Sequence, residues 1–320
     1  VSDDDFHAAP VPDDGFHPDL RLTRLLPRGV VSARSLWRIR KLGALSTRLH
    51  RSRAVEEPVQ PGVSVFVHGR TASAERKPAL LWIHGGGLVI GNARLDEGFC
   101  SRVAEELGAV VASVEYRLAP DHPFPVPLED CYAALRWLAQ QPHVDAERIA
   151  IGGASAGGGL AAALALLARE RGEVHPAFQL LVYPMLDDRT TLRTDVDENR
   201  LRMWNQDSNR LGWQSYLGPY RRPGQPDGVP ELAAPARAED LSGLPPAWIG
   251  VGTHDLFHDE DVDYAQRLRD AGVECEVHVV PGAYHGFDAI EQRAAVSQEF
   301  TRRQVEALAR ALGKAGAAGS

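Results

Sequence analysis

From residue 63 onward, short apolar runs alternate with stretches whose apolar residues recur every three to four positions. Residues 64–68, 79–84, 109–115, 148–152, 178–183, 247–252 and 274–280 read as strands. Leu80-Leu81-Trp82-Ile83 and Val110-Val111-Ala112 are unbroken apolar runs, the pattern of strands covered on both faces of a parallel sheet. Helical periodicity falls at about 95–107, 127–141, 156–171, 260–271 and 291–312. Strand and helix patterns in alternation predict an α/β fold, with a mostly parallel central sheet flanked by helices.

Two regions break that rhythm. More than 60 residues separate the strand ending at Tyr183 from the one starting at Ala247, too long a connection to lack structure of its own. Within it, at about 200–220, lie Trp204, Trp213, Tyr216 and Tyr220, the last three at helical spacing. One or two inserted helices are expected there, forming either a local core or a lid whose aromatics Trp204, Trp213 and Tyr216 face a substrate. The second region is N-terminal. Residues 1–20 hold six Asp and no Lys or Arg, whereas residues 21–53 hold ten Lys or Arg and no acid. Leu36, Ile39, Leu42, Leu45 and Leu49 repeat at helical spacing among Arg34, Arg38, Lys41 and Arg48. This amphipathic helix is expected to pack on the protein's own acidic body, with docking to an anionic membrane surface as the alternative.

Composition narrows the class. The chain has 320 residues, 44% apolar and 24% charged, with a net charge of −8. It reads as a single globular domain over 1–320, and its acidity argues against nucleic-acid binding. It has no run of 18 apolar residues, so no spanning helix is expected. Cys100, Cys131 and Cys275 are far apart and in no metal-ligand spacing, which suggests reduced thiols. Residues 1–10 are acidic and lack a signal-peptide core, so a cytoplasmic location is expected, and residues 313–320 read as a frayed tail.

The chemistry starts at Gly153-Ala154-Ser155-Ala156-Gly157. The pattern G-x-S-x-G is short, but here it follows an apolar strand and opens an Ala/Leu-rich helix. A serine at such a corner has its hydroxyl exposed at the carboxyl edge of the sheet, near a helix N-terminus. His84-Gly85-Gly86-Gly87 follows the strand at 79–83, and a glycine-rich loop can turn backbone N–H groups toward a developing oxyanion. The rival reading, a phosphate loop, lacks its Lys and Ser/Thr: Leu88, Val89, Ile90 and Gly91 follow instead. Asp255 lies just past one predicted strand and His285 just past another, at the same sheet edge as Ser155. His254, His258, Asp259 and Glu260 cluster beside Asp255 and could be mistaken for a metal site. Structural roles at a helix start are expected for the acids, and no metal or organic cofactor is.

These motifs, with Tyr116-Arg117-Leu118-Ala119-Pro120 and His285-Gly286-Phe287, resemble the hormone-sensitive-lipase-like branch of the α/β-hydrolases in its bacterial carboxylesterase form. The resemblance runs over about residues 58–310. It implies an α/β-hydrolase fold with a helical cap formed by about 1–52 and 187–222, over a catalytic core of about 53–186 and 223–313. It implies Ser155 as nucleophile, His285 as base, Asp255 as its orienter, and an oxyanion hole from the N–H groups of Gly86, Gly87 and Ala156. Glu129 and Asp130 match a further family element and are given supporting roles. Three positions depart from the pattern: Ala154 stands where Asp or Thr is usual, Leu88 where an aromatic is common, and Leu256 where Pro is frequent. Leu88 is therefore expected to leave one wall of the substrate pocket roomier. The expected activity is hydrolysis of a small-molecule, short- to medium-chain acyl ester. A membrane-docked lipid hydrolase and a non-catalytic hydrolase-fold binding protein are the alternatives, and a homodimer through the strand near 274–280 is a further expectation.

Overall fold

The computed structural model describes residues 15–49, 52–70, 75–220 and 228–313. Eight strands form one sheet: β1 (Val55–Gln60), β2 (Val63–His68), β3 (Lys77–Ile83), β4 (Val110–Glu115), β5 (Val144–Ala154), β6 (Phe178–Val182), β7 (Ala247–His254) and β8 (Cys275–Tyr284). Their spatial order is β1-β2-β4-β3-β5-β6-β7-β8. β1 and β2 pair antiparallel, as do β2 and β4, and every other pairing is parallel. The unbroken apolar runs occupy the middle: Leu80, Leu81, Val111 and Ala112 are fully buried, with residues of each strand going into separate core clusters on the two faces.

β1 is the strand that the hydrophobic pattern missed. Its sequence VEEPVQ is an edge, mostly exposed, and carries two glutamates and Pro58. Charge and proline are what an unpaired edge tolerates, and they erase the apolar signature of a strand.

Helices α1 (Leu36–Leu49), α2 (Glu97–Leu107), α3 (Val126–Ala139), α4 (Ala156–Arg171), α5 (Gln206–Leu217), α6 (His258–Asp270), α7 (Phe287–Ile290) and α8 (Ala295–Leu312) complete the fold. Of the expected apolar stripe on α1, Leu36 and Ile39 pack on the main core, while Leu42 is exposed. Arg40, on the same helix, donates to the carbonyls of Val89 and Ala119 and to Asp121. The side chains of Leu45 and Leu49 lie outside the described residues, as do residues 1–14, the 222/223 boundary and residues 314–320. The N-terminal segment and the long insertion hold on to each other: Met203 N–H donates to Pro27 O (2.8 Å), Ser208 Oγ to Val31 O (2.9 Å) and Arg28 to Asn199 Oδ1 (2.6 Å).

Candidate active site

Three strand ends carry the site. Ser155 follows β5 directly and α4 starts at the next residue. Its backbone sits at φ 58°, ψ −122°, a conformation costly for a residue with a Cβ. The surroundings hold it there: its N–H donates to Val182 O (2.8 Å), and its carbonyl accepts from Gly159 and Met185 (3.0 Å each). The corner is too tight for side chains on either flank. A Cβ on Gly157 would lie 2.0 Å from Ile83 O, and one on Gly153 would lie 2.5 Å from the same atom. This close approach explains the glycines of the motif.

Asp255 follows β7 in a turn where its Oδ1 accepts from Phe257 N–H (3.0 Å). His285 follows β8. Its Nδ1 lies 2.7 Å from Asp255 Oδ2 and its Nε2 lies 2.9 Å from Ser155 Oγ. The three side chains, 100 and 30 residues apart in sequence, thus form one hydrogen-bonded chain, with the Asp255 carboxylate fully buried. Phe257 and Tyr183 pack edge-on against the imidazole at 5.3 and 4.9 Å between ring centroids.

The glycine loop is braced from behind. His84 stacks on Tyr116 (centroids 4.3 Å) and bonds Gly85 O through Nδ1 (2.7 Å), while Tyr116 Oη donates to His84 O (3.0 Å). Burial pushes the His84 imidazole down to about 4, so the ring is neutral at ordinary pH. Ala119 N–H donates to Leu88 O (3.0 Å). The Tyr116–Pro120 motif is therefore a splint for this loop. Arg117 within it is clamped by buried Asp130, through its own N–H (3.0 Å) and two guanidinium bonds (2.9 and 2.6 Å). Glu129 instead pairs with Arg171 at the surface. Gly86, at φ 116°, could carry no side chain, because a Cβ would lie 2.1 Å from Ile90 O. Ala156 opens α4, where a backbone N–H has no intrahelical acceptor.

A cavity of about 1010 Å³ opens over Ser155 and His285 and is lined by Gly86, Gly87, Trp204 and Tyr183 among others. Of the expected pocket residues, Trp204 lines it. Leu88, Trp213 and Tyr216 do not; they are buried in the main core. Leu88 has φ 66° and is 3% exposed, turned inward rather than forming a pocket wall. Trp213 and Tyr216 share the inner face of α5, and that face packs on Phe124, which also bonds Tyr216 O through its N–H (2.8 Å). Helical spacing put these rings on one side of α5 but not on the side toward the cavity.

The family model described as the α/β hydrolase fold matches residues 80–289. The chain belongs to the α/β-hydrolases. Within them it is similar to esterase LipI of Mycobacterium tuberculosis, with 35% identity over 263 residues, 80% of each chain. It is also similar to ethyl acetate hydrolase of Pseudomonas putida, with 33% identity over 236 residues, 72% of each. Among solved structures, a bacterial heroin esterase is 39% identical with a TM-score of 0.82, over 93% of this chain and 98% of that one. Esterase LipW of Mycobacterium marinum is 33% identical with a TM-score of 0.80, over 94% and 97%. The branch is the hormone-sensitive-lipase-like one that the motifs resemble.

The acids beside Asp255 have structural work in this hydrolase. Glu260 is buried and reaches back to the loop after β6, accepting from Leu186 N–H (2.7 Å), Asp187 N–H (3.1 Å) and the Thr190 hydroxyl. Arg193 pairs with Asp259 (2.6 Å), and His254 meets Phe16 edge-on. Burial, opposed by the hydrogen bonds, pushes the Glu260 carboxyl up from 4.5 to about 8. The folded state therefore keeps a proton that the unfolded chain releases. This contribution to stability is present below pH 4.5 and is lost as pH rises to about 8. Glu260→Gln does not titrate, so melting curves should show the variant gaining on the parent between pH 5 and pH 8. A gap independent of pH would mean that Glu260 is ionised throughout.

Sequence reasoning missed Tyr183, Phe257, Asp96 and Asp288. Tyr183 directly follows β6, between the strands carrying Ser155 and Asp255, and that position was a usable signal. Asp288 sits three residues past His285. Among the described residues no helix is long and apolar enough to cross a membrane.

Proposed function

We infer that the chain is a serine carboxylesterase acting on small acyl esters through an acyl-enzyme. The observation that carries this reading is the unbroken hydrogen-bond chain from Asp255 through His285 to Ser155 at the wall of the cavity. Asp255, buried and fixed by the Phe257 N–H, holds His285 with its proton on Nδ1, which leaves Nε2 free to accept. As Ser155 Oγ bonds to the ester carbonyl carbon, its proton passes to His285 Nε2. The carbonyl oxygen becomes an oxyanion and takes hydrogen bonds from the N–H groups of Gly86, Gly87 and Ala156. Collapse of this intermediate breaks the carbon–oxygen bond of the ester, and the alcohol leaves with the proton held by His285. Water then attacks the acyl-enzyme and gives its proton to His285. The acid departs as that proton returns to Ser155 Oγ.

The esterases named among the relatives support ester chemistry. The residues that close the cavity support small substrates. Val30, Met203 and Trp204 come from the N-terminal segment and the insertion, which together act as a cap. A roof of this kind suits a soluble ester better than a lipid interface. The test uses p-nitrophenyl esters of increasing acyl length. kcat/KM should peak at short to medium chains and fall beyond them, and a fluorophosphonate should add one phosphonyl mass on the peptide containing Ser155. Labelling elsewhere, or a rate that rises steadily with chain length, would overturn the assignment.

A further inference from the structure

The cavity does not stop at the reacting groups. It runs on from His285 between α2, α7 and α8, and two carboxylates, Asp96 and Asp288, line that extension. Asp96 immediately precedes α2, where an aspartate ordinarily caps the helix, yet its side chain makes no cap bond. It accepts instead from Trp82 Nε1 through Oδ2 (2.8 Å). Asp288 accepts from Tyr183 Oη through Oδ1 (2.8 Å), and the Tyr183 ring packs on His285. Among the described residues neither carboxylate has a Lys, Arg or His within ion-pair distance. The cations at the outer wall are already engaged: Arg102 pairs with Glu106, and Arg302 pairs with Glu299 and Glu306. Gln304 adds a third polar group to this wall. It is 2% exposed, and its Nε2 has no hydrogen-bond partner of good geometry, although it lies near enough to Asp288 to favour the charged carboxylate.

We propose that this extension is a cation subsite, and that the enzyme favours esters whose alcohol part carries an ammonium group. The inference rests on the esterase reading above. The alcohol side follows from His285. Its Nε2 must reach the leaving oxygen, so the leaving group lies on the imidazole side of Ser155, and Tyr183 links that side to Asp288. The two carboxylates supply negative charge, Asp288 while also held by Tyr183, Gln304 and the N–H of Ala289, and the rings of Trp82, Phe99 and Tyr183 line the same cavity, where aromatic rings attract a cation. Burial pushes the Asp96 carboxyl up to about 6, with repulsion from Asp288 adding to the rise despite the Trp82 bond, and burial also raises Asp288.

The experiment compares choline butyrate with its uncharged isostere, 3,3-dimethylbutyl butyrate, in the full-length chain. The quantity read is the ratio of their kcat/KM values, so any loss common to both esters cancels. The parent should favour the choline ester by roughly tenfold or more, the scale of a partly desolvated charge contact. Asp96→Asn and Asp288→Asn should each lower the ratio, and the double variant should bring it to about one. The amides keep acceptors for Trp82 and Tyr183, and circular dichroism checks the fold. A parent ratio near one, or a ratio unchanged in the double variant, overturns the proposal. Calorimetric titration with choline alone separates the two readings. If neither ester is hydrolysed but choline binds the parent and not the double variant, the esterase reading fails and the cation subsite stands. If both esters turn over and choline does not bind, the subsite fails and the esterase reading stands.

Discussion

Ser155→Ala should reduce kcat on a short-chain p-nitrophenyl ester by on the order of 10⁶, as loss of the nucleophile does in other serine hydrolases. The reason is local. Ser155 Oγ is the atom 2.9 Å from His285 Nε2, and no other hydroxyl is hydrogen-bonded to that nitrogen among the described residues. The bond that Oγ makes to the substrate exists only from the transition state onward. kcat and kcat/KM should therefore fall together, with KM little changed. The backbone should not move. Its bonds to Val182, Gly159 and Met185 are made by main-chain atoms, and alanine at φ 58° carries no more strain than serine. Melting temperature should stay within a degree or two of the parent, and fluorophosphonate labelling should vanish. A variant that retained even a hundredth of the parent rate, after contaminating activity is removed by active-site titration, would take Ser155 out of the mechanism.

How much of this was legible in the sequence depended on whether a residue's role was set by its neighbours in the chain or by its neighbours in space. The parallel strands were legible because a strand covered on both faces must be apolar at every position, as in Leu80–Ile83. The elbow was legible because a serine at positive φ between two backbone contacts leaves room only for glycine at Gly153 and Gly157. Strand β1 was not legible, since an exposed edge rewards the glutamates and proline that disguise it. Leu88 was misread for a different reason. Its position after the glycines was correct, but its positive φ turns the side chain into the core, and torsions are not written in residue type. Trp213 and Tyr216 show the limit of periodicity, which groups residues on a helix face without saying what that face meets. Asp96 and Asp288 lie 192 residues apart and are joined only by the tertiary fold, so nothing in the sequence singles them out.

Asp255→Asn tests the least visible member of the site, and its effect follows from hydrogen-bond counting. Asp255 accepts twice, from Phe257 N–H at Oδ1 and from His285 at Oδ2, so both of its oxygens must be acceptors. An asparagine has one acceptor and one donor end. With its oxygen kept on the Phe257 N–H, its NH₂ faces Nδ1 of His285 and can be satisfied only if Nδ1 is unprotonated. The imidazole proton then moves to Nε2, where it points at Ser155 Oγ and cannot accept the serine's proton. The opposite orientation would press an amide N–H against the Phe257 N–H inside a fully buried site, at the cost of two unsatisfied donors. The wrong tautomer is therefore the stable one. The geometry of the three side chains should be nearly unchanged while kcat falls by about 10⁴, the loss produced by the same exchange in a serine protease. The residual rate should increase with pH, as hydroxide replaces the missing general base. A variant within tenfold of the parent would mean that Asp255 orients nothing essential, and that His285 holds its tautomer by other contacts such as the rings of Tyr183 and Phe257.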